Sequence, residues 1–300
     1  MILVTGASGM LGSYIKDEFR DDKVISLGRG EDNDIRCDLT DSVPDIGSRK
    51  FETVIHCAGT EHDKGAEELN FRGTERLIKS LENNLPTNFV FVSSYQVYSE
   101  DAGENVDESE NLWASADAGR YKALAENLLK EWAENKGITL TILRPAKMFG
   151  EGVKGEMLEL FNDALSGKFI HIRGNDARVS VVTALDVAKA VRALYRDGGI
   201  YNVSDNFNPR LIELVEAMTA NAGSKKRMTH LPIKWAEWIW RLGRWVPAVD
   251  RNLHPEVVEK RMKSFTIDGS KLTRATGMTY FNTLEVIERV SESYPYKNSL

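Results

Sequence analysis

A glycine-rich turn between a strand and a helix is the feature that most constrains how this chain can fold. The apolar run Ile2-Leu3-Val4 leads directly into the segment T-G-A-S-G-M-L-G, and a helical pattern covers 10–20. Glycine lets a backbone approach a pyrophosphate closely, and amides at a helix N-terminus point toward its negative charge. The spacing is G-x-x-G-x-x-G rather than G-x-G-x-x-G. The turn therefore predicts a dinucleotide site, formed by Gly6, Ser8, Gly9, Met10, Leu11 and Gly12.

Short apolar runs alternate with amphipathic stretches throughout the first half of the chain. The runs are rich in β-branched residues and mostly uncharged, as buried strands are. They cover 2–4, 24–27, 53–56, 89–92 and 139–143. The helical patterns between them cover 10–20, 65–83 and 118–136. This alternation predicts an α/β protein with a Rossmann-type, doubly wound parallel sheet and right-handed crossovers.

The pattern changes after residue 150, where helical stretches are separated by short extended pieces. The predicted helices cover 155–166, 184–196, 209–222, 233–245, 255–263 and 283–293. The extended pieces cover 169–172, 179–182 and 199–203. We predict a dinucleotide-binding domain over 1–150 and a smaller, mixed substrate-binding lobe over 151–300. Some of the later segments can return to the first sheet.

Charge and composition exclude several classes of protein. The net charge is −6 and the pI is near 5.6, so we expect no nucleic-acid binding, which needs a concentrated positive surface. Two cysteines, Cys37 and Cys57, cannot build a disulfide framework or a thiolate metal centre, and the scattered histidines predict no metal site. We find no apolar run of about 18 residues and no room for a signal peptide before the first strand, so we expect a cytoplasmic protein.

The end of the second strand indicates which dinucleotide binds. An Asp or Glu there would accept hydrogen bonds from the ribose 2′-hydroxyl of NAD. This chain has Gly28 followed by Arg29, whose guanidinium can pair with the 2′-phosphate of NADP. NADP is therefore favoured over NAD, although Glu31-Asp32 in the same loop could instead turn toward the ribose. After the third strand, Asp38 is placed to meet the adenine amino group, with Leu39 beside it.

Further segments carry a family resemblance, in order along the chain. They are Val54–Gly59, Asn70–Thr74, Phe91–Tyr98, Leu143–Pro145, Val181–Ala188 and Tyr201–Val203. With the glycine turn, they resemble the extended short-chain dehydrogenase/reductases, the group of NAD(P)-dependent nucleotide-sugar epimerases, dehydratases and reductases. The resemblance covers nearly the whole length. It implies that the cofactor is also lined by Cys57, Ala58, Gly59, Ser93, Lys122, Pro145 and Met148.

The resemblance implies chemistry that uses three side chains. A Tyr exchanges a proton with the substrate while nicotinamide exchanges hydride, a Lys four residues later lowers the pKa of that Tyr, and a Ser or Thr holds the substrate oxygen. Ser94 and Lys122 match two of these positions. The tyrosine position is Ala118, four residues before Lys122 on the same helix face. A methyl group cannot transfer a proton, so this route should be severely impaired.

Four explanations for Ala118 stay open. Tyr121 could substitute, although one residue before Lys122 it points about 100° away around a regular helix. Tyr95 or Tyr98 could supply the hydroxyl from the active-site strand. The chain could be a natural non-catalytic binder, or Ala118 could be an introduced change in an otherwise intact enzyme.

These observations predict an NAD(P)-dependent epimerase or reductase that acts by hydride transfer on a nucleotide- or lipid-linked sugar, bound in the cleft between the lobes. Tyr95-Gln96 occupies the place where sugar dehydratases of the group carry an acidic pair, so elimination of water is disfavoured. The alternative is a non-catalytic NADP(H)-binding regulatory or sensor protein with the same fold. The resemblance also allows a homodimer.

A tryptophan-rich stretch, Trp235–Trp245, raises one further hypothesis. Its apolar positions form one helical stripe with basic residues among the other positions. The simplest interpretation is a helix packed on the second lobe. The other is a lid or interfacial helix that contacts a membrane, which would suit a lipid-linked sugar substrate.

Overall fold

A seven-stranded parallel sheet forms the centre of the molecule. The computed structural model describes residues 1–220, 228–235 and 255–291. The strands of the sheet are β1 (Ile2–Thr5), β2 (Val24–Gly28), β3 (Ile35–Arg36), β4 (Thr53–His56), β5 (Asn88–Val92), β6 (Thr139–Pro145) and β10 (Gly199–Val203). Their order is β10-β6-β5-β4-β1-β2-β3, and every neighbouring pair is parallel. The predicted doubly wound sheet is confirmed.

Helices cover both faces of this sheet. On one face α1 (Met10–Glu18) packs against α5 (Ala184–Leu194), and on the other lie α2 (Gly73–Leu81) and α3 (Asp117–Lys136). All residues of β1, β4 and β5 are buried, which is why their sequences are continuous apolar runs rather than alternating ones. The helix α3 ends at Gly137, whose φ of +69° is the left-handed conformation typical of a glycine C-cap.

The remaining elements form a smaller lobe with its own core. Two short parallel pairs, β7 (Lys147–Phe149) with β9 (Val181–Thr183) and β8 (Ile170–Arg173) with β11 (Thr229–Pro232), lie there. The helices are α4 (Gly155–Ser166), α6 (Leu211–Ala220), Pro255–Met262 and Thr283–Ser291. The helix Ser270–Thr276 packs instead against β10 and α5, and its Leu272 belongs to the core of the main sheet. Phe149, Phe161 and Leu214 belong to the apolar cluster of this lobe.

The structure differs from the sequence prediction at several points. The predicted helix 65–83 is divided into a π-helical stretch, Glu67–Arg72, and α2, and Asn70 in the π-helical stretch turns its amide inward to bond Thr60 and Ala118. Strand β10 returns to the main sheet from beyond residue 150. The helix Ser270–Thr276 was not predicted, since only Leu272 along it is buried. Most of the predicted helix 233–245 lies outside the described residues.

A buried ion pair joins α3 to β6. Arg144 donates from Nε to Glu126 Oε1 at 3.0 Å and from Nη2 to Oε2 at 2.6 Å, and the two side chains are 2% and 0% exposed. Its Nη1 donates to the Tyr98 hydroxyl at 2.8 Å, which in turn donates to Asn202 Oδ1 at 2.8 Å. This bidentate geometry satisfies both charges inside the protein, and it fixes the position of α3 relative to the sheet.

We expect Glu126→Gln to lower the free energy of unfolding by about 3–5 kcal/mol, because Arg144 is then left charged and incompletely paired in the core. Urea denaturation measures this change. The combined variant Glu126→Leu with Arg144→Met should lose less than the single variant, since no charge stays buried. As a control, Arg196→Gln removes a half-exposed bridge to Glu52 and should cost about 0.5 kcal/mol or less. Equal losses in Glu126→Gln and Arg196→Gln would contradict the prediction.

Candidate active site

A cleft lies at the carboxyl ends of the central strands, where ligands of open α/β sheets bind. Its volume, counting the space open to solvent, is about 710 Å³. The cleft brings together residues that are far apart in the sequence and that the sequence analysis predicted for the site: Leu11, Cys57, Gly59, Ser93, Ser94, Lys122, Pro145 and Met148. It is also lined by Glu61, Tyr95, Gln96, Lys147 and Glu156.

The glycine turn has the geometry that a pyrophosphate requires. Gly6 has a φ of +66°, and a Cβ there would lie 2.8 Å from the backbone of Ala58. At Gly12 a Cβ would collide with the Gly6 carbonyl oxygen. The helix α1 begins after Gly9 with no side-chain cap and no acidic residue in its first turn. Its first amides can therefore bind an anion, and the turn fits a dinucleotide.

Beyond the end of β2 the structure places Arg29 near Asp38, two residues that the sequence predicts for the dinucleotide. Arg29 is 78% exposed at its side chain and lies 3.9 Å from the Asp38 carboxylate, whose Oδ1 accepts from Thr40 N at 3.0 Å. The Thr40 hydrogen bonds lower the pKa of Asp38. Leu39 is buried in the core at 3% exposure. The side chain nearest Gly28 and Ser8 is Asn33, which the sequence analysis did not single out.

Lys122 and the two serines form one wall of the cleft. Lys122 is 7% exposed, and its Nζ donates to Val92 O at 2.8 Å and lies 4.9 Å from the centre of the Phe91 ring. A Cβ at Gly59 would come within 2.6 Å of this Nζ, so the Lys122 amine lies directly against the backbone of Gly59. Burial lowers the pKa of Lys122 to about 8, because desolvation disfavours the ammonium.

The serines differ in their surroundings. Ser94 Oγ accepts from Gln96 N at 3.2 Å, which leaves its own proton for a substrate oxygen. Ser93 Oγ is buried and, within the ranges that the structure describes, has no hydrogen-bond partner. A buried hydroxyl without a partner in a ligand-sized cleft fits a site that receives a polar group of a bound molecule.

Ala118 is buried at the start of α3, at 1% exposure. Its carbonyl accepts from Asn70 Nδ2 at 3.2 Å, and its N–H donates to Asp63 Oδ1 at 2.9 Å. Ala118 is therefore held firmly at the place where the motif has tyrosine, one helical turn before Lys122.

The three tyrosines considered as substitutes lie in different places. The Tyr121 hydroxyl donates to Glu67 Oε2 at 2.9 Å, and this residue does not line the cleft. Tyr98 is 1% exposed and belongs to the Arg144 network, where burial raises its pKa to about 12. Tyr95 does line the cleft, and its hydroxyl accepts from Lys147 Nζ at 2.7 Å.

Lys147 and Glu156, which sequence reasoning missed, face Tyr95 from the second lobe. Lys147 Nζ donates to Glu156 Oε2 at 2.5 Å, and the Tyr95 hydroxyl donates to the same oxygen at 3.3 Å. The Lys147 ammonium lowers the pKa of Glu156 to about 2. The signal available in the sequence was weak, because Lys147 differs from its apolar neighbours only by its charge.

The fourth strand contributes packing as well as lining residues. His56 lies between the hydroxyls of Thr5 and Thr74, at 2.6 and 3.0 Å, and burial lowers its pKa to about 3. Cys57 Sγ donates to Thr5 O at 2.8 Å, and burial raises the pKa of this thiol to about 12. Both side chains therefore stay neutral and tie β4 to β1.

Comparisons with known proteins agree with this fold. Residues 2–204 match the model of the NAD dependent epimerase/dehydratase family. The chain belongs to this family. An Escherichia coli O157:H7 protein, N-acetyl-alpha-D-glucosaminyl-diphospho-ditrans,octacis-undecaprenol 4-epimerase, is 25% identical over 251 residues, which are 77% of this chain and 75% of that protein.

Solved structures have the same architecture. UDP-N-acetylglucosamine 4-epimerase from Bacillus cereus superposes with a TM-score of 0.74 at 19% identity, over 100% of this chain and 98% of the other. RMD from Pseudomonas aeruginosa, complexed with NADPH, gives a TM-score of 0.71 at 20% identity, over 97% and 99%. Among the residues that the structure describes, the helices are all too short or too polar to cross a bilayer.

The depressed pKa of Lys122 predicts a pH-dependent stability. Between pH 8 and 10.5 the unfolded chain holds a proton on Lys122 that the folded chain has released, so stability rises with pH across that window. We expect a rise of about 3 kcal/mol from this group. Urea denaturation at about pH 7 and about pH 10 should show it in the parent and not in Lys122→Met.

Lys16→Met, on the exposed surface of α1, is the matched control and should follow the parent. Identical pH dependence in the parent and Lys122→Met would show that the buried amine does not titrate in this window.

Proposed function

We propose that the chain is an NAD(P)-dependent epimerase or reductase, an isomerase or oxidoreductase, for a nucleotide- or lipid-linked sugar. The observation that carries this proposal is the cleft itself, where the glycine turn, Ser94 and Lys122 meet. Membership of the epimerase/dehydratase family supports the reaction class. The free cysteines, Cys37 and Cys57, suit a reducing compartment, and we place the protein in the cytoplasm.

The dinucleotide would lie along the glycine turn, with its pyrophosphate at the amides that open α1 and its nicotinamide toward Ser93, Lys122 and Pro145. When bound, NAD(P) supplies hydride exchange with a sugar carbon. Arg29 is exposed and weakly paired, so it is free to turn toward a 2′-phosphate, and we favour NADP on this ground. The NADPH held by the Pseudomonas aeruginosa structure is consistent with it, while the family description names NAD.

The sugar would enter from the side of the second lobe. Lys147 faces the cleft there, and Lys260 lies 3.8 Å from Glu156 behind it. These cations suit a diphosphate, which nucleotide-linked and polyprenol-linked sugars share. The relative from Escherichia coli is named for a sugar joined to undecaprenol through a diphosphate.

The residue at position 118 limits the chemistry. Lys122 is placed to tune a phenol one helical turn away, but Ala118 has no ionisable group. This observation also favours a second candidate, a non-catalytic NADP(H)-binding sensor. The two candidates differ in whether the cleft can still turn over a sugar.

Ala118→Tyr should raise turnover by about a hundredfold or more, because a phenol is restored beside Lys122. The assay is the interconversion of UDP-glucose or UDP-N-acetylglucosamine epimers with NAD⁺ and NADP⁺, and the reduction of UDP-linked 4-keto sugars with NADPH. Ala118→Phe is the matched control, since it adds the ring without the hydroxyl. Absence of turnover in the parent, the Tyr variant and the Phe variant on every sugar tested would sink the enzyme proposal and leave the sensor.

Arg29→Ala should weaken NADP binding by about tenfold and leave NAD binding unchanged, because only NADP carries the 2′-phosphate. Titration calorimetry with both dinucleotides measures this directly. Arg20→Ala, which removes an exposed cation outside the turn, should change neither affinity. If the parent binds neither dinucleotide, both candidate functions are wrong.

A further inference from the structure

The cleft holds a tyrosine–lysine pair apart from Lys122, formed by Tyr95 and Lys147. Tyr95 follows Ser94 directly, at the carboxyl end of β5, and Lys147 belongs to β7 of the second lobe. The Tyr95 hydroxyl and Lys147 Nζ are 2.7 Å apart, although 52 residues separate them in the sequence. Both residues line the same cleft as Ser94 and Lys122.

Each member of this pair is fixed by other contacts. The Tyr95 ring packs against Phe265, with 5.8 Å between ring centres, and Lys147 Nζ lies 5.1 Å from the centre of the Tyr95 ring. Glu156 accepts from both Lys147 and Tyr95. The carboxylate therefore holds the ammonium against the phenol, as a positioning residue.

We propose that Tyr95 is the proton donor of this site, that Lys147 is its positioning cation, and that the reaction they serve is reduction of a keto group on a diphosphate-linked sugar. This inference rests on the proposed function and decides between its two reaction types. It assigns the general acid to Tyr95, which faces the second lobe, instead of to position 118.

When bound, reduced nicotinamide would supply the hydride for a new C–H bond at the keto carbon, and the C=O π bond would become a C–O single bond. The Tyr95 O–H bond breaks and its proton forms the new hydroxyl of the sugar. The electron pair stays on the Tyr95 oxygen as a phenolate, next to the Lys147 ammonium, and solvent restores the proton through Lys147. The sugar carbon is reduced and the nicotinamide is oxidised.

The charge state of Tyr95 suits an acid rather than a base. Burial and the nearby Glu156 carboxylate hold the pKa of Tyr95 well above its usual value, so the resting phenol keeps its proton. An alkoxide formed by hydride addition is a much stronger base than a phenolate, so proton transfer to it is favourable. Epimerisation starts with loss of a hydroxyl proton to a base, which a neutral phenol does not accept.

The test uses the full chain, NADPH, and two probes: a UDP-linked 4-keto sugar and its undecaprenyl-diphosphate counterpart. Oxidation of NADPH is followed by the loss of its near-ultraviolet absorbance. Tyr95→Phe should lower kcat by about a hundredfold or more, and Tyr121→Phe, which removes a hydroxyl outside the cleft, should not. Adding Ala118→Tyr to Tyr95→Phe should restore turnover, because it supplies a phenol from the other wall.

Binding is measured separately from turnover. Calorimetric titration of Tyr95→Phe and Tyr121→Phe with NADPH and with UDP-glucose should give affinities within about threefold of the parent, which shows that the fold and both subsites persist. Lys147→Gln should lower kcat with little change in the KM for NADPH, and Lys147→Arg should recover part of the rate. If Lys147 had a purely structural role, its substitution would also weaken the binding of NADPH.

The possible results distinguish a failure of the Tyr95 assignment from a failure of the proposed function. If the parent reduces either probe and Tyr95→Phe is as fast, Tyr95 is not the proton donor, and the proposed function stands. The same holds if the parent reduces neither probe while Ala118→Tyr does, or if Tyr121→Phe alone abolishes turnover. If no dinucleotide binds, both are wrong.

Discussion

The buried pair between Glu126 and Arg144 is the interaction on which the arrangement of this site depends. A carboxylate and a guanidinium in the core are tolerated only because they meet in bidentate geometry, so α3 has one position relative to β6. Lys122 lies one turn before Glu126, and Ala118 one turn before that, on the same face of the helix. The ion pair therefore fixes the positions of Lys122 and Ala118 near the carboxyl edge of the sheet.

Close packing around that edge leaves little freedom to the neighbouring residues. Gly6 lies against the backbone of Ala58, so a contact as well as its positive φ requires glycine there, and Gly59 lies against the amine of Lys122. The same crowding desolvates the amine and lowers its pKa to about 8. A buried amine with a depressed pKa is costly for stability, and sites that keep such a group usually use it.

The two walls of the cleft carry different chemical groups. The wall formed by β4, β5 and α3 has Ser93, Ser94 and Lys122, but at position 118 it has only a methyl group. The wall formed by β7 and α4 supplies Lys147 and Glu156, and Tyr95 stands between the walls with its hydroxyl directed toward the second. The proposed proton transfer from Tyr95 would thus depend on how the two lobes meet, whereas the glycine turn belongs to the sheet.

The sequence by itself determined the parallel sheet, the glycine turn and the place of Ala118 one helical turn before Lys122, because each follows from local periodicity or fixed spacing. It also identified Ser94 and Lys122, through a resemblance carried by short motifs. It predicted Leu39 as a cofactor contact, a residue whose side chain the fold buries at 3% exposure, and it did not indicate Asn33, Lys147 or Glu156. Only the tertiary structure brought Tyr95, Lys147 and Glu156 together, because their contact depends on the packing of β7 and α4 over the end of β5, and no spacing along the chain encodes that packing.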